Sequence, residues 1–275
     1  MTTGSDWREA VGRSWADNYR LTDRAFSGLT ERLLGRIRET GGHAVLDIGC
    51  GAGELSLAVA RADHGTQVVG VDVSADLVAV ARQRGEALIN VRFEEADAGS
   101  WNAPDFSPDL LVSRHGVMFF DAPRAAFGHF RTIARPEAGL VFSCFRDPKL
   151  NPWASELAGL LDLPKSGDPT APGPFAFADE AHVRSILGDA GWRDVALETV
   201  DFAYIAGSGE DPVGDALHLF SRIGPAAPAL RALDGPTRDR ALDWMREWLE
   251  QHRSCNLVAL PAAAWIVTAR AGSGA

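Results

Sequence analysis

In "VLDIGCGAGE", residues 45–54, an aspartate and three glycines alternate with other residues: Asp47, Gly49, Gly51 and Gly53. Glycine tolerates φ > 0 and carries no Cβ. This spacing, where an apolar run meets a helical pattern, lets a ligand rest against the backbone at a helix N-terminus. The dinucleotide fingerprint GxGxxG would need its third glycine at position 54, which is Glu54, and a glutamate facing a pyrophosphate is repelled. Asp72, nineteen residues after Gly53, ends the next apolar run, where a carboxylate can accept from two neighbouring hydroxyls. His115 follows a fourth apolar run directly, and an imidazole with an ordinary pKa near 6.5 suits proton transfer. His115 therefore reads as a general base, as a hydrogen-bonding pocket wall or as a structural residue. The other six histidines show no HxxxH spacing and the three cysteines no CxxC, so the expected metal content is none.

Positioning those residues requires a repeating framework. "AVLDIG", "QVVGVDVS", "NVRFEEADA", "PDLLVSRHG" and "GLVFSCF" read as strands separated by helical patterns, the signature of an α/β, doubly wound parallel sheet. Ser74 is expected to cap the helix over 75–85, Asp121 the helix over 122–134, and Asp179 a helix over 180–192. Residues 5–40 carry apolar stripes at helical spacing and read as an N-terminal helical lid. Residues 148–178 read as a site-covering loop rich in Pro and Gly, and 208–252 as a helical insertion or cap. A sixth strand over 195–206 and a final one over 256–271 complete the sheet, with 271–275 as a disordered tail.

"VLDIGCGAGE" resembles the first motif of class I S-adenosylmethionine-dependent methyltransferases, and the resemblance runs over about residues 40–150. Its flavour is that of the ubiquinone/menaquinone-biosynthesis-type, small-molecule branch. The resemblance implies a Rossmann-like seven-stranded sheet of order 3-2-1-4-5-7-6 with the last strand antiparallel. It also implies S-adenosyl-L-methionine as cofactor and S-adenosyl-L-homocysteine as product. The amino-acid end of that cofactor carries an ammonium and a sulfonium, so an acidic residue beside the turn is favourable. By resemblance, Asp47 and the backbone of Gly49, Gly51 and Gly53 hold the methionine portion and Asp72 the ribose. Val73 packs on the adenine, Asp97 accepts from its amino group, and the Ala98 N–H reads the ring. "SRHGVMFFDAP" resembles the fourth motif, which places Ser113 with the cofactor and His115 nearest the methyl.

Methyl transfer is an in-line displacement that needs alignment first and a base only where the nucleophile carries a proton. Arg114 and Arg146 flank the same face and read as clamps for an acceptor carboxylate or phosphate, or as solvated loop arginines. Trp15, Tyr19, Trp153, Phe175 and Phe177 read as acceptor-binding aromatics, or as packing beneath the lid.

The whole chain narrows the partners. A net charge of −10 over 275 residues, with no basic run, argues against gripping nucleic acid or an anionic membrane. "SRHG" also replaces the Asn/Asp-Pro-Pro-Tyr/Phe loop of enzymes that methylate flipped bases. The absence of a leader pattern or an 18-residue apolar stretch makes a cytoplasmic monomer or homodimer the expectation, and abundant Ala, Gly and Arg suggest a bacterial source. The acceptor is expected to be a small, apolar or aromatic metabolite. Two other functions stay open: an NAD(P)-dependent oxidoreductase and a non-catalytic S-adenosylmethionine-binding protein.

Overall fold

The structure is a computed structural model that describes residues 4–163 and 167–272. Its centre is a sheet of five parallel strands: β1 (Ala44–Ile48), β2 (Gln67–Asp72), β3 (Val91–Glu95), β4 (Leu110–Arg114) and β5 (Gly139–Phe145). β1 and β5 are buried at every position, as strands covered on both faces must be. A long strand β6 (Trp192–Ser208), a two-residue β7 (Arg253–Ser254) and a final β8 (Leu257–Ala271) complete the sheet. The order is 3-2-1-4-5-8-6, with β7 a side branch pairing with β8, which runs antiparallel to both β5 and β6. The expected topology therefore holds, with the short β7 added. Ala271 is buried in β8, which moves the start of any tail beyond it; residues 273–275 lie outside the described residues.

Before the sheet come α1 (Gly4–Arg8), α2 (Ala10–Asp17), α3 (Tyr19–Ala25) and α4 (Ser27–Thr40). Leu29, Leu33 and Ile37 of α4 are buried, and α4 touches β4, β5 and β6, so it flanks the sheet and only α1–α3 sit over its edge. α5 (Glu54–Ala62), α6 (Ala75–Gly85) and α7 (Pro123–Ile133) are the crossover helices. Ser74 accepts from the Leu77 N–H and caps α6 as expected. Asp121 does not cap α7: Ala122 takes that position without a side-chain bond, because Pro123 starts the helix one residue later than the aspartate would require.

The segment after β5 contains α8 (Pro152–Leu160), followed by turns, with residues 164–166 outside the described residues. α9 (Glu180–Asp189) is capped by Asp179, and the insertion holds α10 (Pro212–Arg222), α11 (Ala226–Ala232) and α12 (Gly235–Gln251). No described helix is long and apolar enough to cross a membrane. In-register pairing of Asp72 with Glu95 and of Arg114 with Ser143 brings the carboxyl ends of β2–β5 to one edge. The order reverses between β1 and β4, and there ligands of open α/β sheets bind.

Candidate functional site

A cavity of about 470 Å³ opens at that reversal, beneath α1–α3. The turn after β1 forms its floor. Gly49, Gly51 and Gly53 take φ of 64°, 54° and 84°, so all three lie in the left-handed region that glycine alone occupies cheaply. They do different work. A Cβ on Gly49 would stand 2.9 Å from the Gly116 Cα, so that glycine lets two backbone segments touch. A Cβ on Gly51 would meet nothing within 4 Å, and its backbone faces the cavity. Gly53 points away: the Phe93 ring and Ala81 lie about 3.0 and 3.1 Å from where its Cβ would be, and it does not line the cavity. Glu54 is turned away as well, onto Arg84 at 2.6 Å. The carboxylates that line the cavity are therefore Asp23, Asp47, Asp72, Asp97 and Asp121, not the glutamate.

Asp47 is 1% exposed and accepts from Ser56 Oγ at 2.5 Å, while its Oδ1 is buried with no partner. Burial, only partly offset by Ser56 and Arg114, pushes its carboxyl up to about 6. Asp72 accepts from the Gly51 and Ser74 N–H groups, both at 2.9 Å, one on each oxygen, and burial raises its pKa. Each oxygen keeps a second lone pair. Val73, Asp97 and Ala98 line the same end, with Asp97 exposed and accepting from the Gly99 N–H at 2.9 Å.

At the end of β4, Ser113 is fully buried and lies outside the cavity lining. It donates to the Ile48 carbonyl at 2.6 Å and accepts from the Gly116 N–H at 3.1 Å, clamping the β1 and β4 ends together. His115 lines the cavity with φ +62°, its ring stacked on Phe145 at 4.1 Å. Burial first, and then the neighbouring Arg114 charge, push its pKa down to about 3. Arg114 also lines the cavity but is committed: it donates to Thr30 Oγ1 at 2.9 Å and pairs with Asp23 at 3.1 Å.

Residues 45–137 match a protein family described as "Methyltransferase domain". Over those residues the chain is similar to a methyltransferase domain. Among similar proteins, an O-methyltransferase of Pyrenophora dematioidea is 29% identical over 132 residues, which is 46% of this chain and 49% of the relative. A demethylmenaquinone methyltransferase of Thermus thermophilus is 33% identical over 105 residues, 38% of this chain and 48% of the relative. The chain thus spans about half the length of these curated relatives. In fold it is similar to phosphoethanolamine N-methyltransferase 2 of Haemonchus contortus, solved with phosphomonomethylethanolamine and S-adenosylhomocysteine. That likeness has a TM-score of 0.59 at 16% identity and covers 97% of this chain and 60% of the other.

Beyond the floor, the cavity is walled by aromatic side chains, only some of which are legible in the sequence. Trp15, Tyr19 and Trp153 line it. Phe175 and Phe177 do not: Phe175 stacks behind Trp153, and Phe177 packs on Phe127 and Phe142 in the core. Arg146 is also outside, lying over the Trp265 ring and pairing with Asp201 at 2.9 Å. Sequence reasoning missed Trp7, Asp23, Phe26, Phe145 and Tyr204, all of which line the cavity. Phe26 follows α3 and Tyr204 sits in β6, so no spacing along the chain joins them. Asn151, fully buried, was equally invisible. Its amide bonds both backbone groups of Ala263 and accepts from Trp153 Nε1, which fixes the Trp153 ring.

Proposed function

We propose that this protein transfers a methyl group from S-adenosylmethionine to a small-molecule acceptor held in the aromatic half of the cavity. The observation that carries the reading is Asp47 Oδ1, buried and unpartnered beside a glycine turn that opens onto the cavity. A buried carboxylate oxygen that accepts no hydrogen bond is costly unless a donor arrives, and an ammonium group is the donor that fits. Asp72 keeps lone pairs for two hydroxyls, and Val73, Asp97 and Ala98 offer a flat apolar wall with a carboxylate at its rim. These residues would hold the cofactor, whose sulfonium supplies an electrophilic methyl group when bound.

The chain's own part is alignment and exclusion of water. Trp7 and Trp15, in edge contact at 5.2 Å, cover the cofactor end. Phe26, Phe145, Trp153 and Tyr204 make the other half dry, so that an acceptor there meets a fixed, apolar surface. The depressed pKa of His115 argues against a general base: an imidazole whose conjugate acid has a pKa of about 3 has little affinity for a proton at neutral pH. A neutral ring that binds the acceptor is the better-supported role. Isothermal calorimetry with S-adenosylmethionine and S-adenosylhomocysteine tests the reading. Both are expected to bind in the micromolar range, and failure of either to bind below about 1 mM, about 4 kcal/mol, would overturn it.

A further inference from the structure

The end of β4 holds a polar ring with nothing to bond. His115 is about nine-tenths buried, and both of its ring nitrogens lack a hydrogen-bond partner. Buried polar groups are satisfied almost everywhere in native proteins, so an unsatisfied one calls for an explanation. The backbone at the same residue is left-handed, with φ +62°, a region that non-glycine residues enter seldom and that Asn, Asp and His enter more often than the rest. The ring lies between aromatic neighbours, stacked on Phe145 at 4.1 Å and tilted against Phe26 at 5.3 Å. A phenylalanine would pack among those rings without any polar penalty, yet the chain keeps an imidazole at the wall of the cavity.

The charges nearby narrow what could satisfy it. Arg114 is committed to Asp23 and Thr30, and Arg146 is turned onto Asp201 and Trp265. An acidic acceptor beside His115 would therefore find both of these arginines already paired; Arg8, the other arginine of the cavity lining, stands on α1 next to Trp7 at the cofactor end. Trp153 stacks on Tyr204 at 5.7 Å and 14° and packs on Phe145, so the wall that continues from His115 is aromatic.

We propose that His115 is the specificity-determining residue of the acceptor half: its ring hydrogen-bonds a neutral hydroxyl or carbonyl on a flat aromatic molecule packed against Phe26, Phe145, Trp153 and Tyr204. This rests on the reading of the cavity as a methyl-acceptor site. Held neutral by its surroundings, the ring has one donor and one acceptor, which suits a hydroxyl and gives no charge to balance a carboxylate.

The test uses the full chain and three probes, 1-naphthol, naphthalene and 1-naphthoate, with Kd measured by ligand-detected NMR with and without S-adenosylhomocysteine. The wild type is expected to prefer 1-naphthol over naphthalene at least tenfold, about 1.4 kcal/mol, and to bind 1-naphthoate no better than naphthalene. His115→Phe should bind naphthalene as the wild type does, with the preference for the hydroxyl reduced to within twofold. Its melting temperature should equal or exceed that of the wild type, which shows that it folds. His115→Asn keeps a donor and an acceptor and tolerates φ > 0, so it should recover part of the preference. The proposal fails if the wild type does not bind 1-naphthol, shows no preference for the hydroxyl or favours 1-naphthoate. It fails equally if His115→Phe retains the preference. Loss of S-adenosylhomocysteine binding alone, with the hydroxyl preference intact, would remove the methyl-transfer reading and leave this one standing.

Discussion

At the scale of single residues, Asp47 couples stability to pH. Its folded pKa of about 6 lies above the ordinary 3.8, because burial disfavours the charge. As pH rises, the unfolded chain ionises first, so the folded state loses relative stability between about pH 4 and 6, by on the order of 3 kcal/mol. Asp47→Asn removes that titration. In urea melts, the wild type should therefore gain stability relative to the variant on going from pH 7.5 to pH 4, and parallel curves would refute the assignment. An ammonium ligand favours the ionised carboxylate, so binding of S-adenosylhomocysteine at pH 6 should release a proton, read as a calorimetric enthalpy that differs between phosphate and Tris buffers. Asp47 and Asp72 were legible as candidates from type, spacing and the resemblance, and both line the cavity. The electrical state of His115 was not, because Phe26 and Phe145, which bury it, come from distant parts of the chain.

At the scale of elements, the turn between β1 and α5 separates a binding glycine from a packing one. Gly51→Ala meets no atoms but must hold φ +54°, at a strain of about 1–2 kcal/mol, and it adds a methyl group where the backbone faces the cavity. Gly53→Ala carries the same kind of strain and also pushes on Phe93 and Ala81. The expected result is that Gly51→Ala weakens S-adenosylhomocysteine binding more than it lowers the melting temperature, and that Gly53→Ala does the reverse. Equal effects on both measures would show that the two glycines share one role. The strands and the Ser74 and Asp179 caps were readable because their signals are local. The Asp121 cap was misread because proline chemistry one residue further on sets where α7 begins. The roles of the three glycines look alike in sequence, and only the neighbours brought by β3, α6 and the segment after β4 tell them apart.

At the scale of the whole molecule, α3 is tied to the rest of the chain at two places. Arg24 of α3 donates to the Ile205 and Ala206 carbonyls and to Ser208 Oγ, and pairs with Asp215 at 2.6 Å. Asp23 meets Arg84 at 3.0 Å and Arg114 at 3.1 Å, which joins α3 to α6 and the end of β4. Arg24→Ala leaves two part-buried carbonyls of β6 without that partner and frees one anchor. Amide hydrogen exchange in residues 10–25 should accelerate at least tenfold while β1, β4 and β5 stay protected, and uniform acceleration would mean that the tie stabilises the entire fold instead. The amino-acid sequence by itself determined the alternating α/β framework and the acidic glycine turn, because each depends on periodicity or on residues a few positions apart, whereas the strand order was implied only by the resemblance. Tertiary structure alone decided which aromatics reach the cavity, that Arg146 and Phe177 do not, that Arg114 is already paired and that His115 is left unpartnered. Those outcomes depend on packing between α3, β5, β6 and α8, and such contacts leave no periodic trace along the chain.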